Sequence, residues 1–307
     1  MSEKDIVDLA KRYLYMQWLR PENAVWDATA ASLIGGALTK EPGAIAEIGI
    51  GNGYFSFMAL GGRFTPEYDW YFNVDPAGFY DNADIYNHAR AKNIASFIEK
   101  RPDRRLSLAI DHKSELVAQA EQLGFIDRVL VADANGPMAL GGPRLVYSNI
   151  LYWLRDPVAT LKNIARQLEA GAKLVLAFPN PSFLETCESY RNPSPFWAAL
   201  NRGRASSMLW SMDLAEFERA AKPLGLEVQA ARRYLSRQTL KIWDVGLRPL
   251  SSPLIKMGNA LDVAKRREIK TDWCEGLARF LPDLVAEELE NGPKNGGFNF
   301  VDLVKIR

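Results

Sequence analysis

Short apolar runs along this chain alternate with segments whose apolar residues recur every three or four positions. The first pattern reads as buried parallel strands and the second as helices covering them. Strands are predicted at 44–50, 106–111, 127–134, 144–150, 173–180, 226–235 and 298–307. Helices follow at 54–60, 113–124, 156–171 and 212–225. The third of these is well punctuated: Asp156 caps it, Pro157 sits in its first turn and Gly171 closes it. The expected architecture is α/β, a Rossmann-like doubly wound sheet of seven strands with N-terminal helices and two insertions.

The first forty residues form the N-terminal helical cap of this reading. Ser2 caps a helix striped by Ile6, Leu9, Tyr13 and Leu14, Pro21 interrupts it, and a second helical stretch runs to Glu41-Pro42-Gly43. The core then comprises 41–60, 106–235 and 297–307. Residues 61–105 are too many for a simple loop and are expected to be an insertion, a lid. Residues 236–296 are the second insertion, a helical cap over an acceptor.

Composition narrows the function. A chain of 307 residues with a net charge of +1 carries no strong field to recruit nucleic acid or an anionic membrane. The two cysteines, Cys187 and Cys274, make neither a disulfide framework nor a zinc pattern. The N-terminus has no apolar signal core and no apolar run reaches the ~18 residues of a membrane span, so a cytoplasmic protein is expected. Residues 64–86 are rich in aromatics and acids, but the acids match no calcium loop, and no metal is expected. In the late insertion an apolar stretch leads into Lys265, Arg266, Arg267 and Lys270. This reads first as a cap helix with a solvated face, and second as peripheral contact with a membrane or a phosphorylated acceptor.

The chemistry concentrates at Glu47-Ile48-Gly49-Ile50-Gly51-Asn52-Gly53, where an apolar strand meets an acid and then three glycines at alternate positions. Strand, glycine turn and helix together aim backbone N–H groups at a ligand. The dinucleotide fingerprint G-x-G-x-x-G fails here, because its third glycine falls on Tyr54. An acid before the first glycine also repels a pyrophosphate and attracts a cationic amine.

The stretch "EIGIGNG", with the strands that follow it, resembles the class I S-adenosylmethionine-dependent methyltransferases. The resemblance implies that Gly49, Gly51 and Gly53 bed the cofactor and that Glu47 faces its amino group. A carboxylate ending the second strand would hold the ribose hydroxyls. Asp111 is preferred, because a helix and another acid-ended strand follow it, and Asp75 is the alternative. Asp133 corresponds to the acid near the adenine amino group, with the Ala134 N–H facing the ring and His112 at the ribose or adenine edge. Asn149 is a cofactor contact in this scheme, and Tyr152, Trp153 and Asn180 shape the acceptor pocket. His88 and Tyr152 are the candidates for a base, and many relatives carry a histidine where this chain has Tyr152 and Trp153. The implied activity is methyl transfer from S-adenosylmethionine to a small organic, glycan or lipid-linked acceptor, with oxygen as the favoured atom. The rivals are a non-catalytic cofactor-binding regulator and a nicotinamide oxidoreductase.

Overall fold

The computed structural model describes residues 2–72, 74, 94–192, 194–201, 208, 210–247 and 250–306, without the side chains of 199 and 200. Asp75 and His88 therefore lie outside the described residues.

Each predicted strand is present. They are β1 (Ile45–Ile48), β4 (Leu108–Asp111), β5 (Val129–Val131), β6 (Leu145–Ser148), β7 (Lys173–Pro179), β8 (Leu226–Tyr234) and β9 (Phe298–Lys305). Between β1 and β4, β2 (Arg63–Phe64) and β3 (Ile98–Lys100) make a separate antiparallel pair. The seven-stranded sheet has the order β5-β4-β1-β6-β7-β9-β8. The first five strands in this order are mutually parallel, and β9 runs antiparallel to both neighbours. This is the Rossmann-like fold of class I methyltransferases, with the reversed strand inserted near one edge.

Local sequence explains the helices. In α1 (Glu3–Met16), Ser2 Oγ accepts the Asp5 N–H and the Asp5 carboxylate accepts the Ser2 N–H, a reciprocal cap. The next helix, α2 (Asn23–Leu38), is apolar around most of its circumference and correspondingly buried. Its one charged residue is Asp27. The short α3 (Tyr54–Ala59) follows the glycine turn, α4 (Ser114–Gln122) follows β4, and α5 (Pro157–Ala165) carries the expected Asp156 cap, with Asp156 Oδ1 accepting the Ala159 N–H at 2.8 Å. Three short helices come after β7: α6 (Pro181–Thr186), α7 (Glu188–Arg191) and α8 (Pro195–Asn201). Then α9 (Leu214–Ala221) leads into β8.

Residues 237–295 hold α10 (Arg237–Val245), α11 (Ser251–Asn259), α12 (Val263–Ala278) and α13 (Leu281–Asn295). The expected solvated basic face on this segment is corrected at two positions. Arg266 is buried, its Nε 2.7 Å from Asp69 Oδ2 and one terminal nitrogen donating to Asn259 Oδ1 at 2.9 Å. Lys270 is also buried and donates to the carbonyls of Pro66 and Tyr68 at 2.7 and 2.5 Å. Both cations are fasteners between α12 and the loop after β2, because a buried charge is tolerated only with such partners. Lys265 stays exposed and pairs with Glu268.

Among the described residues no helix is long and apolar enough to cross a membrane. Nor, among them, do three or more His, Cys, Asp or Glu side chains cluster in a way that could hold a metal ion.

Candidate functional site

Strand β1 ends at Ile48, and the chain bends through the three glycines into α3. The bend stays laddered to β4, since the Gly49 and Ile50 N–H groups both donate to the Ile110 carbonyl, at 2.7 and 3.1 Å. All three glycines have left-handed backbones, with φ of 86°, 57° and 78°. A Cβ on Gly49 would sit 2.4 Å from Ile150 Cγ2, and one on Gly53 would meet Ala120 and Leu123 at 3.0 Å. Those two glycines let the bend pack against its own neighbours. A Cβ on Gly51 would meet nothing within 4 Å. Gly51 is thus where the backbone lies open to a ligand.

Glu47 lies in β1, buried, in register with Ala109 on one side and Tyr147 on the other. Its Oε2 has no hydrogen-bond partner. Burial pushes its carboxyl up to about 8, and the charge of Asp111 pushes the same way; the neighbouring Ser56 hydroxyl only partly opposes them. Two further buried polar atoms lack partners close by in the fold: Tyr147 Oη on β6 and Asn149 Oδ1 just beyond β6. Unsatisfied buried groups are rare in folded proteins, and a set of them at the C-terminal ends of adjacent parallel strands is a place for a polar ligand.

Asp111 ends β4, the strand directly beside β1. It is buried; Oδ2 accepts the Gly51 N–H at 2.9 Å and Oδ1 the Lys113 N–H at 3.0 Å. The carboxylate thereby ties the glycine bend to the second strand, and each oxygen keeps acceptor capacity for a further donor. His112 is exposed, with Nδ1 3.5 Å from Asp111 Oδ1. Asp133 lies in the turn beyond β5, exposed, its Oδ1 accepting both the N–H and the side-chain amide of Asn135. Those bonds lower its pKa. Ala134 is buried and its carbonyl accepts the Thr160 hydroxyl.

The acceptor candidates divide. Tyr152 is buried with its ring against Trp153 and Phe298, whereas Trp153 is exposed. Asn180 is taken up by the fold. It is buried, its amide donates to Gly296 O and Asn299 Oδ1, and its carbonyl caps α6 through the Ser182 N–H. A side chain with both ends engaged offers little to a substrate.

Two features escaped the sequence. Ile150, read as part of a strand, is the side chain that makes Gly49 obligatory. Asp27 lines a cavity of about 130 Å³ together with Asn52 of the glycine bend. The available signal was a single acid inside an otherwise apolar helix.

The residues at the bend fit S-adenosylmethionine. Glu47 has an unpartnered oxygen for an ammonium, Gly51 leaves backbone open, and Asp111 retains acceptor capacity for hydroxyls. No protein-family model and no curated protein matches the chain. Among solved structures it is similar to the [4+2]-cyclase SpnF, at 11% identity and a TM-score of 0.47, over 91% of this chain and 80% of that one. It is also similar to an S-adenosylmethionine-dependent methyltransferase from Mesorhizobium loti, at 12% identity and a TM-score of 0.46, over 91% and 99% of the two chains. A third is a methyltransferase from Geobacter sulfurreducens in complex with S-adenosyl-L-homocysteine, at 15% identity and a TM-score of 0.45, covering 90% of each chain. Strand order, and not these distant likenesses, defines the fold.

Proposed function

We propose that this protein transfers a methyl group from S-adenosylmethionine to a small organic or glycan- or lipid-linked acceptor, with oxygen as the favoured methylated atom. The observation that carries the reading is the open bend at Gly51, flanked by the unpartnered Glu47 Oε2 and fastened by Asp111. In this reading Glu47 receives the cofactor ammonium, Asp111 the ribose hydroxyls, and Asp133 with the Ala134 N–H the adenine edge. Asn149 lies toward the amino-acid part of the cofactor. Bound cofactor supplies a methyl group already activated on a sulfonium, so the protein's work is alignment and exclusion of water. The Tyr152 ring walls the acceptor side.

Calorimetric titration with S-adenosylhomocysteine and, separately, with a nicotinamide dinucleotide tests the cofactor. Saturable one-to-one binding of the first alone is expected. Binding of the dinucleotide alone would end the proposal. Incubation with methyl-labelled cofactor and fractionated small-molecule, glycan and lipid extracts then tests transfer. Cofactor binding without transfer to any fraction would favour the regulator reading.

A further inference from the structure

The glycine bend has a second face. Asn52, between Gly51 and Gly53, lines a cavity of about 130 Å³ closed on the other side by α1, α2 and the turn between them. That volume is well below the few hundred Å³ of a whole small-molecule pocket, so it suits one head group rather than an entire acceptor.

Asp27 on α2 is the carboxylate of this cavity, half-buried at its wall. A relay holds it in place. Arg20 donates to Asn23 Oδ1 at 3.4 Å, Asn23 donates to Gln17 Oε1 at 2.6 Å, and Gln17 donates to Asp27 Oδ2 at 2.9 Å. Asp27 Oδ1 receives no hydrogen bond among the described residues. Arg20, the one cationic side chain among the described lining residues, pairs with buried Glu22 instead. Tyr13, Phe55, Trp70 and Tyr71 supply aromatic wall. A fixed carboxylate oxygen among aromatic rings repels anions and attracts an ammonium group, through Coulomb attraction and the negative ring faces.

We infer that this cavity binds a basic amino group carried by the methyl acceptor, with Asp27 as its counter-ion. Its amine selectivity stands on the cavity alone; the role as an anchor for the acceptor rests on the methyl-transfer reading. Shared use of Asn52 puts the anchor beside the cofactor bed, and the methylated atom lies elsewhere on the acceptor. Burial raises the Asp27 carboxyl to about 7, which Arg20 and the Gln17 hydrogen bond only partly oppose. A bound ammonium supplies the missing compensation.

The test uses the full chain at pH 8 with three probes of one shape: benzylamine, benzyl alcohol and benzoate. Binding is read by calorimetry and tryptophan fluorescence, with and without S-adenosylhomocysteine. Benzylamine is expected to bind at least tenfold more tightly than the other two. Asp27→Asn should remove that preference while leaving S-adenosylhomocysteine affinity within twofold. Gln17→Met, which frees Asp27 without deleting it, should weaken benzylamine several-fold and serves if Asp27→Asn does not fold. Equal binding of the alcohol and the amine, or no amine binding at all, would overturn the inference. So would parallel loss of amine and S-adenosylhomocysteine in Asp27→Asn, because the cavity would then belong to the cofactor. Wild-type protein that binds benzylamine but not S-adenosylhomocysteine would sink the methyl-transfer reading and leave the amine site standing.

Discussion

Replacing Glu47 by Gln separates a carboxylate kept for a cationic ligand from one that merely fills the core. Burial raises this carboxyl from 4.5 to about 8, so at pH 7 it is about nine-tenths protonated in the free protein. An ammonium placed against Oε2 requires the ionised form. Ionising it at pH 7 costs roughly 1.4 kcal/mol, against a charge-assisted hydrogen bond with a net worth of about 1.5–3 kcal/mol. Wild type should therefore bind S-adenosylhomocysteine no more than about tenfold more tightly than Glu47→Gln at pH 7. The pH dependence is the sharper signature. A bond of that strength lowers the carboxyl pKa by about 1–2 units in the complex, so wild-type affinity should rise about 10- to 100-fold in all between about pH 6 and 8 and flatten above, with about 0.5–0.9 proton released at pH 7. The variant should show neither slope nor release. Titrations in two buffers of different ionisation enthalpy measure both quantities.

Stability gives an independent check with a definite sign. Because the folded-state pKa is raised, the folded protein holds a proton that the unfolded chain has lost between pH 4.5 and about 8. Stability should fall as pH rises through that window, by up to about 5 kcal/mol, and should not fall further from this group above it. Glu47→Gln should abolish that component and melt higher than wild type at pH 8. Pressure from Asp111 and relief from Ser56 are both included in the shift. Equal proton release from the two proteins, or affinity independent of pH in wild type, would refute the reasoning.

The glycines should separate in the same assays. Gly49→Ala is expected to cost several kcal/mol, because its Cβ would lie 2.4 Å from Ile150 Cγ2. Gly51→Val should cost only about 1–2 kcal/mol of backbone strain yet weaken S-adenosylhomocysteine at least tenfold, read by thermal melts and calorimetry. Arg266→Met leaves buried Asp69 without its 2.7 Å partner and should cost about 3–5 kcal/mol in urea unfolding. Glu288→Ala strips acceptors from the Leu235 and Ser236 N–H groups and the Thr239 hydroxyl, bonds of 2.7–2.8 Å. A loss of about 2–4 kcal/mol is expected, measured by the same unfolding curves.

Local patterns made much of this protein legible before its structure. Alternating runs located the seven strands, the Ser2 and Asp156 caps located helix starts, and the acid-glycine stretch located the bend. These signals are short-range, since strand periodicity, capping and left-handed glycines are decided by neighbours in sequence. Burial and partnership were not legible in the same way. That β4 lies beside β1, and that Asp111 reaches the Gly51 N–H across 60 residues, depends on long-range pairing. Asn180 resembles a site residue in sequence, yet Gly296 and Asn299 at the far end of the chain occupy it. Arg266 and Lys270 look like a solvated basic face until the loop after β2 supplies Asp69 and two carbonyls. Asp27 gave no motif at all, because a cavity exists only once α1, α2 and the glycine bend converge. Sequence alone determined the seven strands of the main sheet, the helices between them and the bend; tertiary packing decided which polar groups were consumed by the fold and which were left for a ligand.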